Sequence, residues 1–89
     1  MNAEKIASQI RKTYGATATQ RNTDWMTMET VLDHLDATVE QIRDGVLWLM
    51  ANDRQFFATE ETNQKALSPI ARKYRVIIGG SPVDVMRWQ

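Results

Sequence analysis

TMETVLDHLDATVEQIRDGVLWLMANDRQFFATE, residues 27–60, is the stretch from which the fold of this chain is read. It divides into a short helix, a tight turn at Asp36-Ala37, a longer helix and a strand. Thr38 followed three residues later by Gln41 forms a capping box, in which hydroxyl and amide satisfy N–H groups that a helix start leaves orphaned. Beyond it, Val39, Ile42, Val46, Leu49 and Met50 recur at helical spacing and predict one buried face. Asn52-Asp53 ends that helix, and residues 55–59 (QFFAT) carry the aromatic and β-branched bias of a strand.

Working outward, residues 2–14 predict a first helix, with Ile6, Ile10 and Tyr14 at i, i+4 and i+8 and Ala3 and Ala7 beside them. Gly15 stands at the C′ position that favours left-handed geometry, so the helix is expected to stop there. Residues 15–23 (GATATQRNT) are small and polar with no apolar period, the pattern of a surface loop. Trp25-Met26 suits a short strand. Thr27 is the expected N-cap of a helix over 28–35 that buries Met28, Val31, Leu32 and Leu35.

The second half is less regular. EETNQKAL is too long and polar for a two-residue hairpin turn. Ser68-Pro69 reads as an N-cap followed by proline at the first helical position. Ile70, Tyr74, Ile77 and Ile78 then keep helical spacing up to Gly79-Gly80, which predicts a fourth helix over 68–78. A competing reading makes 74–78 (YRVII) a strand, because β-branched residues cluster there. Residues 83–88 (VDVMRW) follow Pro82 as a half-buried strand, expected to pair antiparallel with 55–59 across the intervening helix.

Helix, turn, second helix and strand in that order resemble a winged helix-turn-helix. The stretch NQKALSPIARKYRVIIGG is similar to small bacterial and phage winged-helix proteins that carry a helix between the wing strands. The likeness covers about the last two thirds of the chain. It implies an α+β fold with a three-helix core, a small antiparallel wing sheet and an extra helix between the wing strands. One winged helix-turn-helix domain is expected over 1–89, since domains typically run to ~100–150 residues.

Composition narrows the function. No run of ~18 apolar residues could span a membrane, and the N-terminus lacks the apolar core of a signal peptide. With no cysteine, disulfides and thiolate metal sites are excluded and a reducing cytoplasm is the natural compartment. There is no phosphate loop, zinc-spaced cluster or nucleophile elbow, so neither catalysis nor a cofactor is expected. His34, the lone histidine, lies among Asp33, Asp36 and Glu29 on what reads as a solvated helix face; a metal needs three or four converging ligands. Eleven basic and eleven acidic side chains cancel, whereas DNA-binding domains usually carry a net positive field. DNA binding then requires the charges to segregate.

In winged helix-turn-helix proteins the second helix of the motif enters the major groove. The resemblance therefore implies that Thr38, Gln41 and Arg43 meet DNA, glutamine suiting adenine and arginine suiting guanine or phosphate. Glu40 and Asp44 share that face and repel phosphates, a departure from the family's basic pattern. A second set of cations, Arg72, Lys73 and Arg75, lies opposite the Ile70/Tyr74/Ile77 stripe with Lys65 just ahead of the helix, and offers phosphate contacts. Lys5, Arg11, Lys12 and Arg21 gather near the N-terminus. The expected function is DNA binding, as a regulator of transcription or an accessory factor. The alternative is a protein-interaction module that uses Leu47 and Trp48, an outward indole being the kind of group that marks an interface unless the fourth helix or the tail covers it. A homodimer is compatible with the resemblance, although no heptad pattern supplies a dimer helix.

Overall fold

In the computed structural model, which describes residues 2–89, three helices pack over one face of a small sheet, and a helix-and-hairpin excursion follows the second strand. The first helix, α1 (Ala3–Ala16), begins at Asn2, whose side chain accepts from the Lys5 N–H at 2.8 Å. It runs through Gly15 instead of ending there. Thr17 is the reason: its buried hydroxyl donates to the Thr13 carbonyl at 2.8 Å, and its backbone N–H reaches the same oxygen at 3.0 Å. Arg21 folds back and donates to Thr17 Oγ1 at 2.8 Å and to the Tyr14 carbonyl at 3.1 Å. A cation over the final carbonyls caps the helix without left-handed glycine. The expected loop thus contains an ordered 3-10 turn, Ala18–Gln20.

The central motif follows the sequence closely. Strand β1 (Met26–Thr27) leads into α2 (Met28–His34), capped by Thr27, and α3 (Val39–Asn52) starts from the expected capping box. Its two bonds are Thr38 N–H to Gln41 Oε1 at 2.8 Å and Gln41 N–H to Thr38 Oγ1 at 3.1 Å. Ile42, Val46 and Leu49 are buried with Ile6, Ile10, Val31 and Leu35. Met50, expected on the same face, is exposed; it lies a further ~100° around the helix, beyond the reach of α1. Gly45 marks the closest approach of α1 and α3, for a Cβ there would lie 2.5 Å from Ile6 Cγ2.

The sheet has the order β1-β5-β2, all antiparallel, with β2 at Phe56–Thr59 and β5 at Val85–Trp88. The expected pairing of the C-terminus with 55–59 is present, Phe56 opposite Trp88 and Thr59 opposite Val85. Alternation sends Met86 and Trp88 to the core beside Met26 and Phe56. Trp88 packs on Phe56 with ring centroids 4.8 Å apart, and its Nε1–H donates to Asp53 Oδ2 at 2.8 Å.

The excursion between β2 and β5 corrects the expected fourth helix. Ser68 and Pro69 do open a helix, but α4 (Pro69–Lys73) is only 5 residues long. Val76–Ile78 is a strand, β3, paired with β4 (Ser81–Val83) in a separate two-stranded ladder. Gly79 and Gly80, the expected helix stop, are instead the hairpin turn, with φ of +59° and +81°. Two successive positive φ values suit a two-residue turn whose twist matches the strands it joins. The β-branched run Val76-Ile77-Ile78 favours that strand. The expected continuous strand at the C-terminus is likewise broken at Asp84, where the chain leaves one ladder and enters the other.

Candidate binding surfaces

Three surfaces gather the residues expected to carry function. On α3, Thr38, Glu40, Arg43 and Asp44 are exposed, while Gln41, Leu47 and Trp48 are half-buried. The Gln41 carboxamide oxygen is held by the capping box, which restrains the amide that adenine readout would use. Arg43 Nε donates to the Ile77 carbonyl at 3.1 Å, and its guanidinium lies 3.9 Å from Asp44. That bond crosses from α3 to β3 and seats the hairpin beside the first turns of the helix. The face stays mixed in charge, with Glu40 and Asp44 flanking Arg43.

Trp48 is half-buried against the core. It forms a wall of a recess of about 220 Å³ in the seam between α1 and α3, with Ala7, Ser8, Arg11 and Leu49. Leu47, its neighbour, is half-buried on the adjoining flank.

The cations of the excursion do not act alike. Lys65, Arg72 and Lys73 are exposed; Arg72 donates to the Gln64 carbonyl at 2.7 Å, and the Lys73 ammonium lies 5.2 Å from the Tyr74 ring centroid. Arg75 faces inward. Its Nε and Nη2 donate to the two oxygens of Asp84 at 2.7 and 2.6 Å, a bidentate pair. Asp84 is 2% exposed and also accepts from the Glu61 N–H at 2.9 Å. Burial pushes its carboxyl up, but the Arg75 and Glu61 hydrogen bonds and the Arg75 charge outweigh burial and hold it below the ordinary aspartate value. Arg75 is raised in turn, chiefly by the same hydrogen bond. The Arg75 charge is thereby neutralised within the fold.

Asp84 is also held to both neighbours of β5 through its backbone, its N–H donating to the Thr59 carbonyl and its C=O accepting from Met28 N–H, both at 2.9 Å. In the sequence, strand alternation marks Asp84 only as an outward polar position, and nothing nearby signals its buried partner. His34 is exposed at the end of α2, where Nδ1–H donates to the Thr30 carbonyl at 2.9 Å.

The outer face of the three-stranded sheet was also missed. There Arg87 lies over the rings of Trp25 and Phe57, with Cζ 4.9 and 5.7 Å from their centroids. The available signal was the Phe56-Phe57 pair, whose second ring must point away from the core if the first points in. Set against models of protein families, characterised proteins and solved structures, the chain matches none of them.

Proposed function

We propose that the chain is a winged helix-turn-helix domain that binds duplex DNA, as a regulator or an accessory factor. The observation that carries the reading is the order of elements: α1, a short strand, α2, α3 and then a sheet in which the last strand lies between the other two. The β3–β4 hairpin beside α3 occupies the place of a wing, and the Arg43–Ile77 bond holds it there. Phosphate contacts are assigned to Lys65, Arg72 and Lys73. Arg75 leaves the set, because Asp84 already neutralises it. Thr38, Gln41 and Arg43 reach base edges only by exchanging their present hydrogen bonds for bonds to DNA, and Glu40 suits a cytosine amino group.

A gel shift with bulk duplex at about 50 mM salt tests this, since such binding rests on phosphate contacts and fades as salt rises. Binding is expected, and changing Arg72 and Lys73 together to alanine should flatten the log–log salt slope by about 1.8, at 0.9 per lost contact. Absence of a shift from folded protein at low salt sinks the reading.

A second reading, a protein-interaction module on the same scaffold, is favoured by the exposed Ile70, Tyr74 and Ile77 of the excursion. These apolar groups, and not only Leu47 and Trp48, would then bear the partner. In that case duplex DNA does not shift at any salt, and Tyr74→Ala or Trp48→Ala removes partner binding.

A further inference from the structure

We propose that the outer face of the three-stranded sheet, built from Trp25, Arg87 and Phe57, binds single-stranded nucleic acid. This surface shares no residue with the α4 cations or with α3. Strand alternation creates it: Met86 and Trp88 point to the core, so Arg87 points to the opposite face, directly across from Phe57 on β2. Trp25, just ahead of β1, closes the row from the other side.

Two features of the row ask for a ligand. Among the described residues, Arg87 forms no ion pair, and its Nε is buried with no hydrogen-bond partner. Arg75, the other half-buried arginine of the sheet region, has its Nε and Nη2 both bonded to the Asp84 carboxylate. Phe57 leaves 41% of its surface in water although the core beneath the sheet is already filled by Phe56, Met86 and Trp88. The face thus offers a planar cation set between two aromatic rings, its buried Nε shielded and its terminal nitrogens making no hydrogen bond among the described residues.

The matching chemistry is an anion joined to flat rings. Nucleobases stack on aromatic side chains and on guanidinium planes, and the phosphate between them accepts from the arginine. A duplex hides its base faces in its own stack, so an unpaired strand fits and a duplex does not. An acidic peptide supplies the charge without the rings. Glu60 and Glu61 line a recess beside Trp25 at the far end of the face and repel a backbone there, which keeps the footprint to two or three bases, the number such sheets usually stack.

The test is fluorescence anisotropy of a labelled 12-nucleotide oligo(dT) at about 50 mM salt, with unlabelled duplex and polyglutamate as competitors. Phe57→Leu keeps an apolar side chain on the strand and should weaken oligo(dT) binding at least about fivefold, the lower end for one lost stack. Phe57→Trp should restore it. Arg87→Lys keeps the charge, loses the plane, and should weaken binding as well. Arg72→Ala with Lys73→Ala should weaken duplex binding more than oligo(dT) binding, and Phe57→Leu the reverse, which separates this face from the duplex surface. Thermal melts establish that each variant is folded. The proposal is overturned if folded parent does not bind oligo(dT), if Phe57→Leu binds as tightly as parent, or if polyglutamate displaces the oligonucleotide as well as unlabelled oligo(dT) does.

Discussion

Gly45 shows how one missing side chain sets the distance between two helices. A Cβ at this position would stand 2.5 Å from Ile6 Cγ2, 3.1 Å from Ile6 Cβ and 3.2 Å from the Ala7 backbone nitrogen. Alanine is the better helix former by about 1 kcal/mol, so in an exposed helix the change would stabilise. Here Ile6 is fully buried and the other neighbour is backbone, so relief requires α1 to move. Overpacking of this kind costs about 1–3 kcal/mol. The clash wins, and Gly45→Ala is expected to lower Tm, at about 4–8 °C per kcal/mol for a domain of this size. A Tm equal to or above the parent's would show that α1 slides on α3 without loss.

At the scale of elements, the excursion over 60–83 is held to the sheet by Asp84 and Arg75. Removing Arg75 leaves the buried Asp84 carboxylate with the Glu61 N–H and the Gln64 side chain but no counter-charge, and a buried charge stripped of its partner is strongly destabilising. Asp84→Asn leaves instead a partly exposed guanidinium that turns to water, so Arg75→Ala is expected to be the more destabilising change in urea melts at neutral pH. The pH dependence follows from the lowered Asp84 value. A carboxyl that ionises more readily when folded adds stability above its unfolded value of about 3.9, and loses it as pH falls through the lower folded value. The gap between parent and Arg75→Ala should therefore narrow below about pH 4. A gap of constant size down to pH 2 would mean that the pair contributes no linked stability.

For the whole molecule, β5 is the piece on which the rest closes. It lies between β1 and β2, which pair with nothing else in their sheet, and it supplies Met86 and Trp88 to the core. Its loss strips both ladders at once, and so small a sheet has no stability without them. Deletion of 85–89 is expected to leave a chain without dispersed amide resonances or a cooperative melt. A radius of gyration of 11.8 Å matches the roughly 12 Å of a single packed domain of this length, so the cost falls on one cooperative unit. A truncated chain that still melts cooperatively would place the core in the three helices alone.

The sequence by itself determined what depends on near neighbours. Thr27, Thr38 and Ser68 each cap a helix by reaching an N–H three residues on, so those starts were legible, as were the buried stripes of α1 and α3 and the strand at 55–59. Tertiary structure decided the rest, wherever the deciding partner lies far along the chain. Residues 76–78 keep helical spacing with Ile70 and Tyr74, yet they are a strand because Ser81–Val83 returns to pair with them. Three residues are too few for periodicity to separate the two. Arg75 read as a free cation until Asp84, nine residues on, proved to be its buried partner. Arg87 and Phe57, thirty residues apart, share a face only because β5 inserts beside β2. Local spacing encodes caps and periods; which strand lies next to which, and so which charges remain free, is set by closure of the core.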